Sequence, residues 1–299
     1  MATIVGKLYL WVFKHLQRLL LHWGWRDTPI RKMARKLNRV FELLVITTIP
    51  NPARVSGLTI YWSPLAFPLL RNFMAGMMEE GTFRVLKKLL RPGGTFIDIG
   101  AHIGWYSLYA AKIVGPKGRI YAFEPDPRLF PLLVRNIAEN GFTEIIHAEQ
   151  KGIAHIDGLM KFFLSGAHQA GYSSIYSTGI KDPQCIEIRV ITLDSFLASQ
   201  GWPHIDLIKM DIEGAEVLAF QGMKEVVCRN PRLKMIVEFH HRFSSGAVEY
   251  GLSFFKGLQS LGFSQFFALE GFPEPKKLNL PEDIMWLVEQ PSQNILCER

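Results

Sequence analysis

The sequence predicts an α/β fold built on an open, mostly parallel sheet. Short apolar runs alternate with segments of helical periodicity along most of the chain, and glycine turns separate them. Acidic residues follow several of the apolar runs, as at Asp98, Glu124 and Asp211. Ligands of such sheets bind beyond the carboxyl ends of the strands, so these acids predict a cleft along one edge.

One strand–turn–helix unit carries the strongest ligand signal. Thr95–Ile99 is an apolar run typical of a buried parallel strand, and Trp105–Val114 has apolar residues at helical spacing. Gly100 and Gly104 lie between them, in a turn whose backbone can come close to a bound molecule. His102 stands where a dinucleotide-binding Gly-x-Gly-x-x-Gly pattern needs glycine, and this disfavours a pyrophosphate ligand.

Two acids accompany this turn. Asp98 lies at the end of the first strand, where a carboxylate suits an ammonium or sulfonium group. Glu124 follows the next strand, where it can accept two hydrogen bonds from a ribose diol. The pattern favours S-adenosylmethionine as the cofactor, with His102 and Pro125 as further candidate contacts. An ordinary βαβ unit whose glycines serve only packing is the alternative.

The remaining segments continue the alternation of helices and strands. Predicted helices cover residues 81–90, 127–140, 193–197 and 213–223. Predicted strands cover residues 120–123, 144–149, 159–164, 186–191, 205–210, 233–239, 263–269 and 294–297.

A second charged cluster lies at residues 206–216. Asp211 ends an apolar strand, and Lys209 points to the same side if the strand continues. Such a pair can deprotonate or orient a substrate hydroxyl, although acids such as Glu213 also stabilise helix N-termini. His240 ends another predicted strand and is a candidate general base or substrate contact.

Other candidate sites carry weaker signals. Residues 166–182 are rich in Gly, Ser, Tyr and His, and predict a loop in which His168 and Tyr172 contact substrate. No diagnostic ligand spacing is present, so no metal is predicted. The three cysteines lack close pairing or metal spacing, as is typical of thiols in a reducing compartment.

The net charge of +7 comes from residues 1–40, which hold nine Lys and Arg and one Asp. The rest of the chain holds 25 basic and 26 acidic residues, so no nucleic-acid partner is expected. The segment also contains Trp residues and apolar runs too short to span a bilayer. It predicts an amphipathic helix on a membrane surface, or a helix that packs on the enzyme body or a second subunit.

Five separated segments resemble the FkbM-type methyltransferases. They are Phe96–Ser107, Tyr121–Pro125, Val190–Asp194, Asp206–Glu216 and Ile236–Phe239. Their order and spacing cover about residues 80–240. The resemblance implies a class I, Rossmann-like S-adenosylmethionine-dependent fold with a seven-stranded sheet and an antiparallel last hairpin. It also implies methyl transfer, typically to a hydroxyl oxygen.

The family's site residues carry over to matching positions. By this resemblance, Asp98, Gly100 and Gly104 border the methionine part of the cofactor, and Glu124 holds its ribose. Asp211 and Glu213 belong to the family's signature acidic segment. His102 departs from the family pattern, which often has Asn there.

These observations predict three regions: a basic extension (1–40), a helix-and-turn leader (41–80) and a methyltransferase domain (81–299). The expected reaction methylates a hydroxyl of a glycan, lipid-linked or secondary-metabolite acceptor. Asp211, assisted by Lys209 or His240, would orient or deprotonate that hydroxyl. N-methylation and a catalytically silent, membrane-associated module are the alternatives. The expected location is the cytoplasm, with residues 1–40 in contact with the inner membrane face or a second subunit.

Overall fold

The computed structural model describes residues 46, 49–74, 79–166, 173–177, 180, 182–241, 246–290 and 292–299. The chain divides into two compact units, residues 1–78 and 79–299. The predicted extension over residues 1–40 lies outside the described residues, as do His168 and Tyr172. Within the described part, no helix has the length and apolar character needed to cross a membrane.

The first unit contains a hairpin that the sequence reasoning missed. Strands β1 (Ala53–Val55) and β2 (Leu58–Ile60) pair antiparallel, and helix α1 (Phe67–Met74) follows. Ser56 and Gly57 both have positive φ, as a two-residue hairpin turn requires. The prediction of helices and turns alone was wrong here, because three-residue strands are too short to display alternation.

The second unit is built from two sheets and eight helices among the described residues. Its strands are β3 (Thr95–Ile99), β4 (Arg119–Phe123), β5 (Ile146–Glu149), β6 (Gly152–Ile153), β7 (Gly158–Leu164), β8 (Gln184–Ile191), β9 (Leu207–Met210), β10 (Lys234–Phe239), β11 (Gln265–Ala268), β12 (Lys276–Lys277) and β13 (Gln293–Glu298). Its helices are α2 (Glu80–Leu89), α3 (Trp105–Val114), α4 (Phe130–Glu139), α5 (Leu193–Ser199), α6 (Glu216–Ala219), α7 (Lys224–Arg229), α8 (Ala247–Ser260) and α9 (Ile284–Glu289).

The main sheet has eight strands in the order β12–β11–β13–β10–β9–β3–β4–β5. The five strands from β10 to β5 are parallel, and β13, β11 and β12 extend the sheet by antiparallel pairing. The predicted mostly parallel sheet with an antiparallel last hairpin is thus confirmed. The two-residue edge strand β12 makes eight strands where seven were expected.

Three predicted elements differ clearly from the structure. The strands predicted at residues 159–164 and 186–191 belong to a separate three-stranded sheet of order β6–β8–β7, not to the main sheet. The helix predicted to begin at Glu213 begins at Glu216 instead. Glu213 and Gly214 have φ values of 55° and 94°, which place them in the left-handed region, outside a right-handed helix.

The register of the parallel strands brings the predicted site residues to one edge. Asp98 on β3 lies opposite Lys209 on β9, and Lys209 lies opposite Ile236 on β10. The carboxyl ends of these three strands therefore lie side by side. The backbone beyond them is tightly packed, since a Cβ added at Gly100 would lie 1.9 Å from the carbonyl oxygen of Asp211.

Candidate active site

The turn after β3 needs left-handed backbone at three positions. Gly100, His102 and Gly104 have φ values of 84°, 54° and 98°. Glycine adopts this region without cost, whereas His102 adopts it against the steric preference of an L-residue. The amides of Gly100 and Ala101 both donate to the carbonyl oxygen of Phe123, at 2.9 Å each. The turn is thus held against the end of β4.

Glu124 is bound to this turn through its side chain. One carboxylate oxygen accepts from the amide of His102 at 2.7 Å, and the other accepts from the amide of Asp126 at 2.8 Å. Burial raises the pKa of Glu124 to about 8, although both amide bonds act in the opposite direction. Each oxygen of the Glu124 carboxyl is used by one amide, so the group keeps further positions for a ligand: acceptor positions when it is ionised, and one O–H donor when it is protonated.

A pocket that is partly open to solvent lies beside the turn. The strands of the main sheet, the loops that follow them and helix α6 line one side of it with Ile99, Gly100, Phe123, Pro125, Ile212, Ala215 and Leu218. Residues from β6 onward close its other side, including Gly152, Ile153, Phe162, Ile175, Ile188 and Val190. The walls are almost entirely apolar, which suits a flat, uncharged ring.

Asp98 and His102 lie deeper than the sequence alone indicates. Asp98 is buried and accepts a hydrogen bond from the Ser107 hydroxyl at 2.5 Å, and burial raises its pKa to about 6. The imidazole Nδ1 of His102 is buried with no hydrogen-bond partner in the described part of the chain. Burial lowers the pKa of His102 to about 4, so its ring is neutral at physiological pH.

The Lys209–Asp211 pair forms as the predicted spacing requires. The Nζ atom of Lys209 lies 3.3 Å from Asp211 Oδ2, and also lies 5.1 Å from the ring centre of Tyr106. The Lys209 side chain is completely buried, whereas 29% of the Asp211 side chain is exposed. Of the two groups, only Asp211 is open to a ligand.

Electrostatics keep this pair charged. Burial by itself would lower the pKa of Lys209, but Asp211, Glu79, Glu238 and Asp98 raise it overall. Burial would likewise raise the pKa of Asp211, but the Lys209 ammonium and a hydrogen bond from Glu238 lower it overall. Asp211 is therefore a carboxylate across the physiological range.

Sequence reasoning missed Glu79 and Tyr106. The Tyr106 hydroxyl donates to the Glu79 carboxylate, and the Asn294 amide donates to the same oxygen at 2.7 Å. These residues come from the start of α2, from α3 and from β13. No local pattern marks Glu79, because it lies beside Lys209 only through the packing of the sheet.

Glu213 and His240 form a second close pair. The Nδ1 atom of His240 lies 2.7 Å from Glu213 Oε2, and both side chains are largely buried. The Ser174 hydroxyl donates to the Glu213 carbonyl oxygen at 2.8 Å. Glu238 is also buried, and its pKa is raised by burial and by the carboxylates of Asp211 and Glu213. One ligand atom from each of Glu213, Glu238 and His240 falls within 4.8 Å of the others.

Residues 98–264, more than half of the chain, match the family model described as the methyltransferase FkbM domain. The chain belongs to the FkbM methyltransferase family. This FkbM methyltransferase therefore uses S-adenosylmethionine as the methyl donor.

Three curated relatives are similar over part of their lengths. Methyltransferase sdnD of Sordaria araneosa is 27% identical over 45% of this chain and 62% of its own length. The hexuronic acid methyltransferase AglP of Haloferax volcanii is 24% identical, over 66% and 77%. The 31-O-demethyl-FK506 methyltransferase FkbM of Streptomyces tacrolimicus is 26% identical, over 51% and 67%.

A solved O-methyltransferase from Thermotoga maritima is 12% identical, with a TM-score of 0.42 over 87% of this chain and 81% of that one. This TM-score is too low to support an argument, so the fold is assigned from the strand order of the main sheet.

The residues of this FkbM methyltransferase fit the cofactor. Glu124 keeps acceptor positions beside the turn, and the buried Nδ1 of His102 lacks a partner among the described residues. The apolar pocket along Pro125 suits an adenine ring. S-adenosylmethionine supplies a methyl group carried on a positively charged sulfur.

Proposed function

We propose that this chain transfers the methyl group to a hydroxyl oxygen of a glycan, lipid-linked or secondary-metabolite acceptor. The observation that carries the proposal is the partly exposed Asp211 carboxylate beside the fully buried Lys209 ammonium. Methyl transfer from a sulfonium has a good leaving group, so the enzyme must mainly position the acceptor and take its proton. The Asp211 carboxylate can do both, because it is ionised and partly exposed.

We assign the cofactor to the turn and pocket after β3. Gly100 and Gly104 allow the backbone to approach the methionine portion, and Glu124 accepts from the ribose hydroxyls. Pro125 contacts the adenine. The neutral ring of His102 lies near the ribose, and Asp98 supports the turn through Ser107. Asp98 also adds negative charge beneath a cationic ligand.

The exposure of each side chain at the acceptor edge decides the role that we give it. Asp211 accepts the hydrogen bond of the hydroxyl and then its proton as the oxygen attacks the methyl carbon. Lys209 acts through Asp211, since its buried ammonium holds the carboxylate ionised and oriented. His240, oriented by Glu213, lies next to this group and assists. His168 and Tyr172 stay predictions for acceptor contacts outside the described residues.

The names of the relatives support an oxygen acceptor on a sugar or natural product. AglP is named for a hexuronic acid, and the Streptomyces protein for a 31-O position. We also propose a cytoplasmic location, which the three free cysteines support. The basic, Trp-containing residues 1–40 support a lipid-linked acceptor or membrane-surface contact, and contact with a second subunit is the other proposal for them.

The deciding experiment compares Asp211→Asn with the unchanged chain. Each is incubated with methyl-labelled S-adenosylmethionine and an extract of the source organism, and labelled products are separated. We expect Asp211→Asn to lower the rate by about 10²- to 10⁴-fold, because the hydroxyl loses its proton acceptor. Cofactor affinity, measured by titration calorimetry, should be unchanged. Glu225→Gln is the control, since the Glu225 side chain is 61% exposed on the surface.

Full turnover by Asp211→Asn would overturn the assignment of Asp211. The ¹³C shift of the transferred methyl distinguishes oxygen from nitrogen, so an N-methyl product would establish the alternative reaction. Cofactor binding with no product from any extract fraction would support a silent module.

A further inference from the structure

Three potential metal ligands converge beside Asp211 although they are separate in the sequence. Glu238 and His240 are two residues apart along β10 and its continuation, so their side chains leave the same side of the strand. Glu213 reaches them from the loop after β9. Their ligand atoms lie within 4.8 Å of one another, and His240 Nδ1 and Glu213 Oε2 are 2.7 Å apart.

These distances suit one cation. Ligands about 2.0–2.6 Å from an ion lie about 3 Å apart when adjacent and up to about 5 Å apart when opposite. All three atoms lie within the upper limit, and the 2.7 Å contact between His240 and Glu213 would open by a few tenths of an ångström to admit an ion. Glu238 and His240 are anchored on a buried sheet strand, which limits how far two of the three ligands can move.

The charge at this edge is unbalanced. Lys209 is the buried ammonium here, and the carboxyl groups that act on it are Asp211, Glu79, Glu238 and Asp98. Buried carboxylates in excess of their partners are costly unless protons or a cation neutralise them. A divalent cation bound among these carboxyl groups would neutralise part of that charge.

We propose that Glu213, Glu238 and His240 bind one divalent cation, in a site that the sequence spacing did not predict. Two carboxylates and one imidazole suit Mn²⁺ and related first-row ions better than Ca²⁺. Three protein ligands leave coordination positions open, as in catalytic sites. The site lies beside Asp211, so its use in catalysis rests on the proposed function.

In that use, the cation binds the acceptor hydroxyl and lowers its pKa. The hydroxyl oxygen forms a bond to the methyl carbon while the carbon–sulfur bond breaks and leaves its electron pair on sulfur. The hydroxyl proton passes to the Asp211 carboxylate. Lys209 remains charged throughout and keeps Asp211 in place.

The test is Mn²⁺ binding to the full chain, freed of metal by dialysis against EDTA. Paramagnetic resonance measures the free ion, and we expect one saturable site per chain. Glu213→Gln and Glu238→Gln should each weaken binding at least about tenfold, the cost of losing one charged ligand. Glu149→Gln is the matched control, because Glu149 forms a similar 2.9 Å contact with His147 on the surface.

A second measurement tests whether Mn²⁺ binding releases protons from the ligands. Calorimetry in two buffers of different ionisation enthalpy should detect proton release on Mn²⁺ binding, since the ion displaces protons from its ligands. The proposal fails if Mn²⁺ does not saturate a site at pH 7.5. It also fails if binding persists unchanged in Glu213→Gln, a loop variant that keeps the buried strand intact should Glu238→Gln not fold. Binding is measured without methyl transfer, so an inactive chain that binds Mn²⁺ would contradict only the proposed function.

Discussion

The cofactor turn (Gly100–Gly104 with Glu124) and the acceptor edge (Asp211, Glu213, Glu238 and His240) lie at the carboxyl ends of neighbouring strands, but they are built differently. The turn is stabilised mostly by backbone groups, with the amides of Gly100, Ala101 and His102 each satisfied within one βαβ unit. The acceptor edge depends on contacts between side chains from β9 with its following loop and from β10 with its continuation, such as Lys209 with Asp211 and His240 with Glu213.

Because of this difference, the cofactor turn and the acceptor edge tolerate different substitutions. A turn of backbone hydrogen bonds depends on conformation, so it is sensitive to any added Cβ and less sensitive to the surrounding charges. A cluster of buried acids around one lysine depends on charge balance, so it is sensitive to the loss of one partner and to pH.

The largest effect is expected at Gly100, where the two halves touch. An alanine there must adopt a φ of 84° and would place its Cβ 1.9 Å from the Asp211 carbonyl oxygen. We expect Gly100→Ala to lower the free energy of unfolding by about 4 kcal/mol, measured by urea denaturation.

Gly115→Ala is the control for conformation alone. Gly115 also has positive φ, at 66°, but nothing lies within 4 Å of the position that an added Cβ would take. Its ψ of −169° is also unfavourable for an L-residue, so the variant should cost about 2 kcal/mol. Equal losses in the two variants would mean that the turn and the acceptor edge do not constrain each other.

Lys209→Met should have the next largest effect, and it acts on the acceptor edge. It keeps most of the buried stem but removes the ammonium beside Asp211 and its neighbouring acids. We expect a loss of about 3 kcal/mol in the free energy of unfolding at pH 7, because uncompensated carboxylates remain buried. Denaturation at several pH values should find a smaller loss in acid, where protons replace the ammonium.

Lys151→Met tests the opposite case. Lys151 lies 2.8 Å from Glu149, but both side chains are partly exposed. Removing such a pair costs about 0–1 kcal/mol. If Lys209→Met costs no more than this, charge balance does not govern the acceptor edge.

The smallest of the three effects concerns pH and the cofactor turn. The folded chain holds a proton on Glu124 up to a pKa of about 8, well above the value of 4.5 expected in the unfolded chain. The stability from this group is therefore complete below about pH 4.5 and is lost as pH rises through 8. Without cofactor, we expect the free energy of unfolding to fall by about 2–3 kcal/mol between pH 6 and pH 9.

Glu124→Gln should remove that part of the pH dependence, and denaturation curves at pH 6 and pH 9 measure it. The exposed Glu225→Gln should keep the full dependence. A Glu124→Gln curve as steep as that of the unchanged chain would place the responsible groups elsewhere, with the acids of the acceptor edge the next to test.

The cofactor turn could be predicted from sequence almost completely. The predicted bounds of β3 and α3 agree with the structure, because one apolar run, two glycines and one helical repeat are local features. The prediction failed at Glu213, where helix-forming residues suggested a helix and the chain instead adopts two left-handed residues. Ser174 holds the Glu213 carbonyl from a distant segment, and local propensity cannot register such a contact.

The amino-acid sequence was enough to establish the α/β class, the family and the order of the charged residues along the chain. Only the tertiary structure decided which of these charged residues is buried and which is exposed. It encloses Lys209 completely, leaves Asp211 partly exposed and brings Glu79 beside them. The two kinds of information differ because strands and helices are encoded in local periodicity, whereas burial and charge balance depend on residues that meet only when the sheet assembles.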